Sequence, residues 1–159
     1  MSTEIERKFL VKGEYRSLAQ SKSRIVQGYL YADARKTIRI RIRGDKAYVT
    51  IKGPSADNGL SRFEWETEIS IADAEEMMSL CEPGLIDKER YLIPYEGHLF
   101  EVDEFHGDND GLVMAEVELG SIDEEFDKPD FIGEEVTGDH RYYNRYMLQH
   151  PYKEWKGKR

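Results

Sequence analysis

Residues 36–53 read KTIRIRIRGDKAYVTIKG. Ile38, Ile40 and Ile42 alternate with Arg39, Arg41 and Arg43, a period of two that belongs to a β-strand. Gly44-Asp45 is a turn signal, and Lys46 to Gly53 resumes strand chemistry, so the stretch predicts a hairpin. Its polar face is unusual. Three arginines share it with no carboxylate among them, and like charges two apart on one strand face repel. Such a row makes sense when a polyanion lies between the guanidinium groups, whose forks of donors fit phosphate oxygens.

The same alternation runs along the chain. Thr3 to Val11 sets Ile5, Phe9 and Val11 against Glu4, Glu6 and Lys8. Arg24 to Ala32 is rich in β-branched and aromatic residues, with Gln27, Tyr29 and Tyr31 expected to project together. Arg62 to Ile71 carries Glu64, Glu66 and Glu68 on one side. Leu85 to Tyr95, His98 to Phe105 and Leu112 to Leu119 complete about eight strands. Short helices are expected at Glu14 to Ser21, Ala72 to Cys81 (stopped by Pro83-Gly84), Ile122 to Lys128, and from an Asp139 cap through Arg141 to Gln149. The fold class is mainly β (α+β), a closed antiparallel barrel or a sandwich.

A half-solvated sheet explains one alternating strand taken singly. Taken together, the polar positions are nearly pure charge and sorted by strand. Lys88 and Arg90 are a cationic pair, whereas Glu101 with Asp103 and Glu116 with Glu118 are carboxylate pairs. Clustered carboxylates suit a hard divalent cation, and clustered arginines and lysines suit phosphate. Burying so many charges in a dry core would be prohibitive, so a barrel built this way needs a wet, charged interior. Its apolar faces, bearing residues such as Ile5, Phe9, Ile38, Ile40, Val102 and Val117, then turn outward. Helices, a partner subunit or long amphipathic side chains must cover them.

The 159 residues suit one domain spanning 1–159. Lys and Arg number 23 against 32 Asp and Glu, a net charge of −9, with charged residues at 35% where about 25% is usual. The acidic balance speaks against a nucleic-acid binder. Taken as a global sum it also speaks against a polyanionic substrate, but strand parity moves much of the excess into a sorted interior, where local arrangement decides. The single cysteine, Cys81, points to a reducing cytoplasm, and no signal peptide or membrane-length apolar run is present.

Glu4-Ile5-Glu6-Arg7-Lys8-Phe9-Leu10 resembles the ExExK signature of the CYTH superfamily, the triphosphate tunnel metalloenzymes. The resemblance continues through Gln27-Gly28-Tyr29-Leu30, Arg39-Ile40-Arg41, Thr50-Ile51-Lys52-Gly53, Arg62-Phe63-Glu64-Trp65-Glu66 and Lys88-Glu89-Arg90-Tyr91. It extends to Glu101-Val102-Asp103-Glu104-Phe105, Ala115-Glu116-Val117-Glu118-Leu119, Gly133-Glu134-Glu135-Val136-Thr137 and Arg141-Tyr142-Tyr143-Asn144. Length and motif order are most similar to the short bacterial members that hydrolyse inorganic triphosphate.

The resemblance implies an eight-stranded antiparallel tunnel with a few flanking helices and a C-terminal helix able to close one mouth. It implies Mg²⁺ or Mn²⁺ held by Glu4, Glu6, Glu116 and Glu118, with Glu64, Glu66 and Asp103 on facing strands. Lys8, Arg39, Arg41, Lys52, Lys88 and Arg90 match the phosphate-binding cations. Glu4, Glu6 and Lys8 take the catalytic positions, with either glutamate open as partner of a second metal and its water. Tyr29, Arg43, Glu68 and Glu101 are candidate tunnel-lining residues, with Arg43 and Glu68 expected at the rim.

The implied activity is metal-dependent hydrolysis of tripolyphosphate to pyrophosphate and phosphate. Thiamine triphosphate hydrolysis, ATP cyclisation and a non-catalytic polyphosphate or nucleotide sensor use the same framework and stay open, as does a homodimer. Neither nucleic acid nor a membrane is expected as a partner. Asp108-Asn109-Asp110-Gly111 is not a calcium loop, because His106 and Val117 would fall at ligand positions. It is expected to be a turn, and the basic residues from Lys153 onward a solvated tail.

Overall fold

The computed structural model describes residues 2–56, 60–147 and 150–156. Nine strands are present: β1 Ser2–Val11, β2 Ser21–Ala32, β3 Thr37–Arg43, β4 Lys46–Lys52, β5 Ser61–Ile69, β6 Ile86–Tyr95, β7 His98–Phe105, β8 Val113–Glu118 and β9 Ile132–Glu135. They run in the order β5-β4-β3-β2-β6-β7-β8-β1-β9, and β5 also pairs with β1. That extra pairing closes the first eight strands into a barrel. All pairings are antiparallel, from the predicted hairpin of β3 and β4 (Arg39 opposite Thr50) to β7 and β8 (Glu101 opposite Glu116).

Strand β1 carries the closure. One of its edges pairs with β8 from Glu6 to Leu10. The other pairs with β5 from Ser2 to Ile5, then with β9 from Phe9 onward. The four-residue β9 is too short to announce itself by alternation, and its sequence reads only as part of the C-terminal segment. Hairpin geometry is local: between β6 and β7, Glu96 and Gly97 both adopt positive φ, 47° and 81°, as a two-residue turn matched to strand twist requires.

Much of the outward apolar surface is covered from within the chain, although Phe63 and Trp65 on β5 stay exposed. Helix α1, Ile71–Met78, begins at a Ser70 cap whose side chain accepts from the Asp73 amide at 3.1 Å. It buries Ala74 against Ile40 of β3 and Ala47 of β4. On the opposite wall Phe9, Val102 and Val117 pack under Tyr15, Phe131 and Phe126.

Three predicted helices are corrected. Between Glu14 and Ser21 there is only a 3-10 turn, Arg16–Leu18, and β2 already begins at Ser21. Tyr15 leaves helical register to donate to Glu104 and set its ring edge-on to Tyr91. Residues 122–128 form no helix. They run irregularly, so that Phe126 reaches Phe9 and Phe100. The C-terminal helix is broken into a 3-10 turn, His140–Tyr142, helix α2 Asn144–Met147 and helix α3 Tyr152–Trp155, with Tyr143 extended at the break (φ −92°, ψ 138°). Residues 148–149 of the expected helix, 57–59 of the expected loop and the tail residues Lys158 and Arg159 lie outside the described residues.

The tail up to residue 156 is docked rather than free. Asn109, in the turn once open to a calcium reading, accepts from the Tyr152 amide at 2.8 Å, and Lys153 pairs with Asp108 at 3.0 Å.

Inside the barrel, charge stops short of one end. Leu10 continues the row of Glu4, Glu6 and Lys8. Ile86 precedes Lys88 and Arg90, Phe105 follows Glu101 and Asp103, and Met114 precedes Glu116 and Glu118. These four apolar side chains join Leu112, Val136, Tyr142 and Met147 in one cluster. The C-terminal segment therefore closes that end of the barrel against an apolar plug.

Candidate active site

Above the plug lies a cavity of about 200 Å³ lined by Glu4, Glu6, Lys8, Tyr29, Thr37, Arg39, Arg41, Arg43, Lys52, Arg62, Glu64, Glu66, Lys88, Arg90, Glu101, Glu116, Glu118, Tyr143 and Asn144. The strand order explains its polarity. The carboxylate-rich strands β8, β1 and β5 are neighbours, and so are the cation-bearing β4 and β3, which β2 joins to β6. Charges sorted by strand in sequence become an acidic wall facing a basic wall.

On the acidic wall, the Lys8 ammonium lies 3.2 Å from Glu6 and 2.9 Å from Glu116. Lys52 reaches across to Glu4 at 2.9 Å and Glu64 at 3.5 Å, and Arg62 approaches Glu4 at 3.4 Å. Burial pushes the Glu6 carboxyl up to about 7, and the adjacent Glu116 charge adds to the push. Glu64 and Glu118 are raised by burial and by Glu4. Burial acts the same way on Glu4, but Lys52 and Arg62 outweigh it and bring it to about 2. Three or more such ligands do not converge into a ready-made metal cage among the described residues. The oxygens of Glu4, Glu6, Glu64 and Glu116 are paired with the ammonium groups of Lys8 and Lys52 instead.

On the basic wall, Arg90 and Lys88 share the buried Asp103 at 2.8 Å each. Arg39 donates to Thr50, which donates to Glu66 at 2.6 Å. Arg41 donates to Gln27 at 3.1 Å, and no ion pair to it is found among the described residues. The buried Arg39 Nε has no hydrogen-bond partner. Burial pulls Arg41 down to about 9, with Arg39 and Arg90 adding repulsion. Lys88 falls to about 8 by burial, against the pull of Asp103 and helped by Arg90 and Arg41. This wall has more positive charge than its carboxylates neutralise.

The structure brings together Glu4, Glu6, Lys8, Arg39, Arg41, Lys52, Lys88, Arg90, Glu64, Glu66, Glu116 and Glu118, with Tyr29 and Glu101 beside them. Arg43 sits at the exposed mouth, its guanidinium 3.4 Å from the Tyr48 hydroxyl. Glu68 is exposed and does not line the cavity, because β5 has passed the mouth by that point. Asp103 does not line it either, since its oxygens are occupied by Arg90 and Lys88. Tyr31 does not project with Tyr29. A bulge between them shifts register, and Tyr31 is exposed, donating to Asp33 at 2.6 Å.

Four lining residues were missed from sequence. Arg62 shares parity with Glu64 and Glu66, so their face does include a cation, and Thr37 shares parity with Arg39. Those two signals were available. Tyr143 lies at the extended break and Asn144 opens the four-residue α2, too short to show a period.

A closed antiparallel barrel whose interior is split into anionic and cationic walls defines a tunnel built for a polyanion with its counter-cations. The CYTH domain profile matches residues 2–147, and the chain belongs to that family. It is 48% identical to an inorganic triphosphatase of Acetivibrio thermocellus over 98% of this chain and 99% of that one. It is 38% identical to an inorganic triphosphatase of Nitrosomonas europaea over 90% and 95%. A crystal structure of an inorganic triphosphatase superposes with a TM-score of 0.67 at 34% identity, covering 93% of this chain and 95% of the other.

Proposed function

We propose that this protein is a divalent-metal-dependent triphosphatase that hydrolyses inorganic tripolyphosphate to pyrophosphate and phosphate. The observation that carries the reading is the under-neutralised basic wall of Arg39, Arg41, Lys88 and Arg90 facing the carboxylates of Glu4, Glu6, Glu64, Glu116 and Glu118 across one cavity. The relatives named above support the same reaction.

The basic wall binds and orients the phosphate chain, and the unpartnered Arg39 Nε has a phosphate oxygen to receive it. Lys8 and Lys52 exchange carboxylate oxygens for phosphate oxygens when substrate is present. Water adds to a terminal phosphorus while the P–O bond to the pyrophosphate leaving group breaks, and the cations stabilise charge as it moves onto that oxygen. Glu4, Glu6, Glu64, Glu66, Glu116 and Glu118 would hold Mg²⁺ or Mn²⁺. The fit rests on hard oxygen donors crowded together: burial first, and neighbouring carboxylates second, raise Glu6, Glu64 and Glu118. When bound, the ion supplies charge neutralisation and an acidified water. Asp103 is assigned instead to holding Lys88 and Arg90 in place.

An organic triphosphate is less well served. Apart from Tyr29 and Tyr143 the lining is polar, with no aliphatic side chain among the described residues to receive a nucleoside or thiamine. Cytoplasmic residence rests on the lone Cys81. A homodimer would have Phe63 and Trp65, left exposed on the outer face of β5, at its disposal.

Phosphate release is measured on tripolyphosphate, ATP, thiamine triphosphate, pyrophosphate and long polyphosphate with Mg²⁺ or Mn²⁺. Tripolyphosphate is expected to be the preferred substrate. Folded protein that binds tripolyphosphate without turnover would return the sensor reading, and cyclic AMP from ATP the cyclase.

A further inference from the structure

The barrel has a seam. On one edge of β1, pairing with β5 ends at Ile5 opposite Ser61, and pairing with β9 begins at Phe9 opposite Glu135. Between them few backbone contacts remain: the Glu6 amide donates to the Leu60 carbonyl, the Lys8 amide to the Thr137 hydroxyl, and the Val136 amide to the Lys8 carbonyl. A chamber of about 10 Å³, room for about one water, lies here beside the main cavity. Its walls include Glu4, Glu6, Leu60, Arg62 and Tyr143.

Tyr143 fills this place. Its ring centroid lies 5.3 Å from the Lys8 ammonium and 5.9 Å from the Arg62 guanidinium carbon. The extended backbone at Tyr143 separates the 3-10 turn from α2. Tyr142 and Met147, on either side, are both buried in the apolar plug, which anchors the segment that carries the ring. Lys8 thus has Glu6 and Glu116 on two sides and an aromatic face on a third. A ring face attracts an ammonium group but, unlike a third carboxylate, adds no net charge to repel phosphate.

We infer that Tyr143 is a positioning residue for Lys8, its ring holding the ammonium toward the phosphate chain while it seals the seam between β5 and β9. The inference rests on the triphosphatase reading and deepens it.

The test is a double-mutant cycle on binding of imidotriphosphate, whose P–N–P bridges resist hydrolysis, followed by calorimetry with and without Mg²⁺. Tyr143→Phe keeps the ring and is expected to bind within about 2-fold of wild type. Tyr143→Leu is expected to bind about 10-fold more weakly, the scale of a desolvated cation–π contact. In a Lys8→Met background the same Tyr143→Leu change is expected to alter affinity less than about 2-fold. Equal weakening in both backgrounds, or none in either, overturns the inference. If Tyr143→Leu melts early, Tyr143→Met fills similar volume without an aromatic face and replaces it in the cycle. Failure of the wild type to bind imidotriphosphate with or without Mg²⁺ would instead overturn the triphosphatase reading.

Discussion

Arg90 grips Asp103 through two parallel hydrogen bonds, 2.8 Å from Nε and 2.9 Å from Nη2. Lys88 sits on the same carboxylate at 2.8 Å, and all three side chains are buried. One carboxylate therefore holds two of the cations that line the cavity. Removing its charge leaves both without their shared partner. Asp103→Asn is expected to lower folding stability by about 3–5 kcal/mol, the scale for breaking a buried ion pair, as read by urea unfolding without ligand.

The same carboxylate sets an acid limit. Burial opposes ionisation of Asp103, but Arg90 and Lys88 overcome it and lower the group from 3.8 to about 2. A carboxylate depressed in the folded state contributes stability that is fully present above its unfolded value and lost as pH falls through the folded one. Wild type is expected to lose stability steeply between about pH 4 and 2. Asp103→Asn should show a shallower loss across that window when unfolding is followed at a series of pH values.

Lys88 gives the opposite limb. Its ammonium, lowered from 10.5 to about 8, is held less tightly in the folded chain than in the unfolded one. The cost of burying that charge is fully present below about pH 8 and is relieved as pH rises toward 10.5. A bound polyanion restores the charged form. Tripolyphosphate binding near pH 8.5 is therefore expected to take up protons. Calorimetry in two buffers of different ionisation enthalpy reads this directly, and equal heats in both would contradict it.

Lys8 and Arg41 reach the cavity from opposite walls. Lys8→Ala and Arg41→Ala are each expected to cost about 2–4 kcal/mol of transition-state stabilisation, the scale of losing one charge-stabilising donor. That is a fall of about 30- to 1000-fold in kcat/KM for tripolyphosphate. Glu68→Gln, on an exposed side chain outside the cavity, is expected to leave kcat/KM within about 2-fold.

Glu6 and Glu116 lie side by side on the acidic wall, where a divalent cation would offset their charge. Mg²⁺ or Mn²⁺ is expected to raise the melting temperature of wild type, and chelation to abolish phosphate release. Glu116→Gln should weaken the metal-induced rise and increase the metal concentration needed for half-maximal activity at least about 10-fold.

Much of the site was legible because a strand's side chains alternate with a period of two. Glu4, Glu6 and Lys8 share one face of β1 whatever the fold, and Arg39, Arg41 and Arg43 share one face of β3. The bulge after Tyr29 escaped because an extra residue in a ladder leaves no mark on alternation. The break at Tyr143 escaped because an irregular segment is positioned by what it packs against.

By itself the sequence determined which residues share a face within each unbulged strand, and which strands carry which charge. Local backbone geometry suffices for that. Only the tertiary structure decided that β8, β1 and β5 lie side by side, turning strand-sorted charges into two opposed walls. It alone brought Tyr143 to Lys8. Those outcomes depend on strand order, closure and contacts between residues 135 apart in the chain, which no local period encodes.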